Sequence, residues 1–266
     1  MSLRLLNNMS QFALFKLALI FLTRVPVKLS GSVSDEDINL SSRYFAMVGF
    51  CVGLCLAFSL WVIAYWVPMS VAILFTLGLG LLVTGAFHED GFADVWDGFG
   101  GGWSQQQKLD IMKDSRIGTC GAVALFILMM SKYQLLLALS EDLVTLLFAI
   151  VIAQTLSRMT ATSLIGKLPY VQLDAQSKVK PIAKDLQSTS RAILYASGGI
   201  VSLLGLGLSA FSIWHMLGLF VTLWLTRWGC QQWFTRQLGG YTGDCLGAAQ
   251  QICEVAIYTF CVVSVL

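Results

Sequence analysis

YFAMVGFCVGLCLAFSLWVIAYW, residues 44–66, contains no charged side chain and no proline. A helix rises 1.5 Å per residue, so about 20 apolar residues cross the hydrocarbon core of a bilayer. This stretch reads as a transmembrane helix. Outward from it the same pattern recurs at 69–88, 118–139, 143–163, 192–213, 215–235 and 246–266. Seven spans are therefore expected. Residues 11–27 carry Lys16 and Arg24 and end near Pro26, which suits an interfacial or partly inserted helix, with an eighth span as the alternative. The expected architecture is an all-α polytopic transmembrane bundle, one integral membrane domain over residues 1–266.

Composition agrees. The chain is 56% hydrophobic and 12% charged, against about 25% charged in soluble domains, and its mean hydropathy is +0.74. A water-soluble globule is excluded. A net charge of +2 gives no reason to expect nucleic acid as a partner. The seven cysteines form no CxxC pair and five lie in apolar stretches, so they read as small buried thiols rather than zinc or redox centres. Residues 13–23 resemble a signal-peptide core, but Lys16 interrupts them and no small-residue cleavage pattern follows, so the N-terminus reads as retained.

Lys and Arg placement sets orientation. Arg4, Lys16, Arg24, Lys28 and Arg43 precede the first span; Lys108, Lys113 and Arg116 follow the second; Lys167, Lys178, Lys180, Lys184 and Arg191 follow the fourth. The connections at Val67-Pro68, Ser140 to Asp142 and Trp214-His215 carry neither residue. By the positive-inside rule the N-terminus and segments 89–117, 164–191 and 236–245 face the cytoplasm, and the C-terminus faces outward.

Six of the 15 acidic residues fall between 89 and 114, in GAFHEDGFADVWDGFGGGWSQQQKLDIMKDSRIGT, which makes segment 89–117 the expected catalytic loop. On a helix continuing from the second span, Asp90, Asp94 and Asp97 lie within about 60° of one another. Carboxylates that close repel unless a cation sits among them, and oxygen-only donors suit Mg²⁺, or Mn²⁺ as a substitute. Phe92, Val95, Trp96 and Phe99 interleave with the acids, which argues against a merely solvated acidic loop. Asp110 and Asp114 form a second i, i+4 pair able to fold back on the first. Gly98, Gly100, Gly101 and Gly102 are expected to break the helix and offer N–H groups to phosphate. Lys113 and Arg116 would grip phosphate, Arg116 through its planar fork. These are the parts of a metal-assisted phosphoryl-transfer site, with His88 as a proton carrier or, alternatively, an interfacial histidine.

At the same expected depth, LGGYTGDCLGA (238–248) carries Asp244, and Glu254 follows two turns inside the last span; a buried membrane carboxylate reads as functional. Arg43, Arg158 and Arg227 either snorkel to headgroups or face the site, and Arg43 and Asp244 are candidate substrate contacts. Lys132, inside the third span, has no assigned role.

HEDGFADVWDGFGGG (88–102), KDSRIGT (113–119), FLTRVPV (21–27) and LGGYTGDCLGA resemble, in order and over nearly the whole chain, the signatures of the adenosylcobinamide-GDP ribazoletransferase (cobalamin synthase) family. Cys120 stands where members often have Tyr and Ala46 where Pro often follows the Tyr-Phe pair; neither is a carboxylate. The resemblance implies a Mg²⁺-dependent enzyme of the bacterial inner membrane with its active site on the cytoplasmic side. Such an enzyme joins adenosylcobinamide-GDP to α-ribazole or its 5′-phosphate and releases GMP. Asp90, Asp94 and Asp97, assisted by Glu89 or Asp114, would then hold the metal, and Lys113 and Arg116 the phosphates. His88 or an unliganded aspartate would accept the hydroxyl proton. A homo-oligomer is compatible with all of this. The competing class is a cation-coupled secondary transporter, which accounts for Glu254 and Lys132 but not for an acidic cluster beside a glycine turn. A structural membrane subunit predicts no acidic cluster at all.

Overall fold

The computed structural model describes residues 9–172, 185–207 and 212–265. Its helices are α1 (Gln11–Leu22), α2 (Asp35–Ser41), α3 (Phe45–Ile63), α4 (Met69–Thr84), α5 (Phe87–Gly101), α6 (Gln105–Met112), α7 (Thr119–Ala138), α8 (Leu143–Thr162), α9 (Ser188–Gly207), α10 (Ile213–Leu238) and α11 (Gly243–Val265). Among the described residues there is no extended strand, only an isolated bridge between Tyr170 and Tyr241. Arg4, Lys178, Lys180 and Lys184, used above to set orientation, lie outside the described residues.

Each apolar run expected to span is helical over most of its described residues. Five segments are long and apolar enough to cross on their own, and α4 and α5 qualify as a sixth only together, bent by 89°. This is a multi-pass membrane protein. Two expectations need correction. The run 69–88 is not one straight span, since α4 stops at Thr84, and the last segment before α11 falls short of the apolar test because Arg227, Gln231, Gln232 and Arg236 load the C-terminal half of α10. At 12 residues α1 rises only about 18 Å and cannot cross. It buries Leu14, Leu17, Ala18 and Leu22 instead.

The core is built around α8, whose residues from Thr145 to Thr162 are almost all buried. In lipid, helices associate through close backbone packing rather than exclusion of water, and small residues permit it. Gly49 and Gly53 on α3 form such a pair: a Cβ at Gly53 would lie 2.8 Å from the Val151 Cα, and one at Gly49 would meet the Gln154 carbonyl. Close α3–α8 contact fixes the turn of α8 that carries Gln154 and Arg158. All seven cysteines are free; Cys230, Cys245, Cys253 and Cys261 are buried as expected, while Cys51, Cys55 and Cys120 are exposed.

Segment 89–117 is helical for much of its length. Asp97 reaches Gly118 and Gly121 at the start of α7, while Glu89 reaches Lys132 well inside it. α5 therefore runs alongside α7 in the opposite direction, carrying the acidic block into the bundle.

Candidate active site

The site begins at the break between α4 and α5. Gly85 has φ +66° and Ala86 φ +53°, so two successive residues are left-handed. For alanine that conformation costs about 1–2 kcal/mol, and packing from the FLTRVPV segment holds it. The Arg24 N–H donates to the Val83 carbonyl at 2.8 Å, and the Arg24 side chain lies where a Cβ on Gly85 would sit. Irregular backbone at membrane depth is tolerated where it lines a cavity, and Ala86 does so.

The first turns of α5 then cross the start of α11 at unusually short range. A Cβ at Gly91 would lie 2.9 Å from the Asp244 Cα and 3.0 Å from its carbonyl oxygen, and one at Gly247 would lie 3.2 Å from the His88 carbonyl oxygen. These glycines set Asp90 and Asp94 opposite Asp244. Because the obstructing atoms at Gly91 are backbone, Gly91→Ala must push the helices apart, at about 1–3 kcal/mol. Thermal unfolding of the detergent-solubilised protein checks this; an unchanged midpoint would mean that the crossing tolerates a methyl group.

Between α1, α3, α5, α7, α8 and α11 lies a cavity of about 670 Å³. Its polar lining includes His88, Glu89, Asp90, Asp94, Lys113, Asp114, Arg158, Asp244 and Gln250. Asp94 feels the like charges of Asp244, Asp90 and Asp97. Arg158, 3% exposed, donates from Nη1 to the Gln154 carbonyl at 2.9 Å and to Gln154 Oε1 at 2.7 Å, while its Nε has no hydrogen-bond partner among the described residues. The expected acids are thus joined by a buried guanidinium that snorkelling would have placed at the headgroups.

Several expected site residues are engaged elsewhere. The two Asp97 oxygens each accept a backbone N–H, from Gly118 and from Gly121, both at 2.7 Å, so Asp97 caps α7 and does not line the cavity. Glu89 lines it, but its Oε1 accepts from Gln251 at 2.9 Å and lies 3.7 Å from Lys132 Nζ. Arg116 is exposed, and Asp114 already occupies its fork, Nε to Oδ1 at 3.0 Å and Nη2 to Oδ2 at 2.6 Å. Those hydrogen bonds hold the Asp114 carboxyl down at about 2. Arg43 is buried against Ser190 at 3.1 Å and Gln11 at 3.4 Å, tying α1 and α9 together. Asp110 is exposed and accepts from Gln106.

The glycine turn is corrected. Gly98, Gly100 and Gly101 do not break α5; they lie within it, and only Gly102 ends it, in extended backbone. Their small size admits neighbours instead: a Cβ would lie 2.6 Å from Met112 Cγ at Gly98 and 2.8 Å from Cys120 Sγ at Gly100. None of them lines the cavity.

Beneath the cavity, Lys132 gains its partner. Its Nζ lies 3.1 Å from Glu254 Oε1, and Gln154, Gln250 and Tyr258 donate to the same carboxylate at 2.8, 3.0 and 3.3 Å. The sequence shows Lys132 and Glu254 as charges inside apolar spans, but not that three helices, α7, α8 and α11, bring these five side chains together.

A family model described as cobalamin-5-phosphate synthase matches residues 14–262. The adenosylcobinamide-GDP ribazoletransferase of Shewanella frigidimarina is 47% identical over 249 residues, covering 93% of each chain. The proteins of the same name from Shewanella sp. strain ANA-3 and Shewanella oneidensis are each 45% identical, over 92% of each chain. No solved structure matches. With every residue that lines the cavity inside the matched region, the chain belongs to the cobalamin-5-phosphate synthase family.

Proposed function

We propose that this cavity joins adenosylcobinamide-GDP to α-ribazole or α-ribazole 5′-phosphate, with release of GMP. The observation that carries the reading is the convergence of Asp90, Asp94 and Asp244 with Lys113 and Arg158 on one cavity. It supplies acids and bases in the arrangement that transfer between phosphates requires. A ribose hydroxyl of α-ribazole attacks the cobinamide-linked phosphorus, the new P–O bond forms as the bond to GMP breaks, and GMP carries away the electron pair. Lys113 and Arg158 bind phosphate oxygens. His88 or a free carboxylate accepts the hydroxyl proton. The alternative grip through Arg116 requires it to leave Asp114.

Among the described residues no three His, Cys, Asp or Glu side chains form a ready metal-ligand set. Mg²⁺ needs none, since it commonly takes one or two carboxylates and completes its shell from substrate phosphates and water. Asp90 and Asp94, with Asp244 in reach, fit that role by chemistry: oxygen-only donors of like charge facing one cavity. Of the others in the ligand set expected from the sequence, Asp97 has both oxygens engaged by the start of α7, while Glu89 has Oε1 engaged by Gln251 and its buried Oε2 without a hydrogen-bond partner among the described residues. Bound Mg²⁺ would supply neutralisation of charge developing on the pyrophosphate.

The site faces the cytoplasm of a bacterial inner membrane in this reading. Lys108, Lys113 and Arg116 flank the start of α7, at the end of the bundle where bias toward the inside places basic residues. The transporter reading loses its chief support, because Glu254 is paired with Lys132.

Purified protein in detergent, given both substrates, is expected to release GMP with Mg²⁺ and to stop when EDTA is added in excess. Turnover that persists in EDTA would sink the metal assignment. Absence of GMP at any metal concentration would sink the reaction.

A further inference from the structure

The cavity has a second wall of different chemistry. Phe21, Leu22 and Phe45 line it from α1 and α3, and Ala86 and Phe87 from the α4–α5 break. Phe21 stacks on Phe45 with centroids 5.5 Å apart and planes 9° apart, and meets Phe87 edge to face at 5.4 Å. Three helices each contribute one ring. Phe45 is 8% exposed, whereas Phe87 keeps 39% of its surface uncovered. None of the five side chains can donate or accept a hydrogen bond. Phe21 opens the FLTRVPV segment, whose only chemistry so far has been to brace Gly85.

Given the proposed reaction, the cavity must hold two planar bases. Guanine presents donors and acceptors along its edge, and burying these against apolar side chains leaves them unpaired. The dimethylbenzimidazole of α-ribazole is a bicycle with two methyl groups and one free ring-nitrogen acceptor, so its burial against phenyl rings loses little and gains stacking. We propose that Phe21, Phe45 and Phe87 form the subsite for the aromatic base of α-ribazole, a site for an apolar bicyclic base rather than for guanine.

This placement orients the reaction. The Phe87 ring meets the His88 imidazole edge to face at 5.3 Å, and His88, Glu89 and Asp90 continue the cavity lining from there. A base held on Phe87 carries its ribose toward His88 and Asp90, so the attacking hydroxyl lies beside a proton acceptor. Guanine is left to the polar side of the cavity.

The subsite rests on the proposed reaction, and the test separates the two. Phe87→Ala and Phe21→Leu are expected to raise the KM for α-ribazole about tenfold or more, the usual scale for losing a stacking ring. The KM for adenosylcobinamide-GDP should stay near that of the parent. In parallel, equilibrium dialysis of α-ribazole against parent and Phe87→Ala protein, without the second substrate, should show the same weakening. Specificity of the parent gives a reading that needs no variant. The α-riboside of unsubstituted benzimidazole should be used well, and that of hypoxanthine about a hundredfold less well. Equal use of both ribosides, or a KM change confined to adenosylcobinamide-GDP, would overturn the subsite while leaving the reaction intact. Binding of α-ribazole that weakens in Phe87→Ala, in a protein that never releases GMP, would overturn the reaction while leaving the subsite intact.

Discussion

Asp94→Asn is expected to slow GMP release by a factor of about 10² to 10⁴, the scale of several kcal/mol of lost transition-state charge stabilisation. Asp94 is half-buried, faces the cavity and sits among Asp244, Asp90 and Asp97 with no cationic partner among the described residues. Replacing one of several crowded like charges by a neutral isostere relieves repulsion, so in the absence of Mg²⁺ the variant should unfold at the same temperature as the parent or higher. Loss of activity without loss of stability identifies a residue that serves chemistry. The paired measurement is GMP by chromatography and unfolding by intrinsic fluorescence, both in detergent. Turnover close to the parent's, or a variant that fails to fold, would remove Asp94 from the role given to it.

Asp97→Asn should behave differently although it lies on the same helical face. Its two oxygens accept the Gly118 and Gly121 N–H groups, and an amide offers only one acceptor there while turning a donor toward a donor. The expected cost is about 1–3 kcal/mol of stability. Any fall in GMP release should follow that loss and not exceed it by orders of magnitude. The sequence places Asp90, Asp94 and Asp97 together because helical period is a local property. Which of them another helix claims is decided by α7, more than twenty residues further on, and no spacing within 88–102 reports it.

The same division between local and distant causes separates what was legible from what was not. Apolar runs disclosed the helices because each must satisfy its backbone internally in lipid. The 89° bend was hidden, since Gly85-Ala86 carries no strong stop signal and alanine is the best of helix formers. The left-handed pair persists there because Arg24, some sixty residues earlier, occupies the flank. The run GFGGG looked like a loop on composition, yet it stays helical through Gly101, where Met112, Ile111 and Cys120 pack where side chains would otherwise stand. Arg158 looked like any basic residue near a span end, and only the Gln154 contacts and the enclosing helices reveal it as part of the cavity.

Lys132→Met is expected to be the most damaging single change to the fold, at about 3–5 kcal/mol, the usual cost of leaving a buried charge without its partner. Lys132 is 3% exposed, and so is Glu254 across the 3.1 Å ion pair; Glu89 adds a second carboxylate at 3.7 Å. In a bundle whose helices gain little from excluding water, such a pair also specifies which faces of α7 and α11 meet. The decisive comparison adds Glu254→Gln. A neutral amide at that position keeps one oxygen to accept from Gln154 and Tyr258, which share Oε1, and turns its NH2 toward the Gln250 amide, while the methionine fills the volume of the lysine stem, so the double variant should recover part of the lost stability. The quantity to read is the coupling in a double-mutant cycle of thermal midpoints, supported by the yield of membrane-inserted protein. Recovery in the double variant means that the single change hurts by stranding Glu254, whereas additive losses would mean that Lys132 and Glu254 serve separate purposes and that the ion pair does not hold α7 to α11.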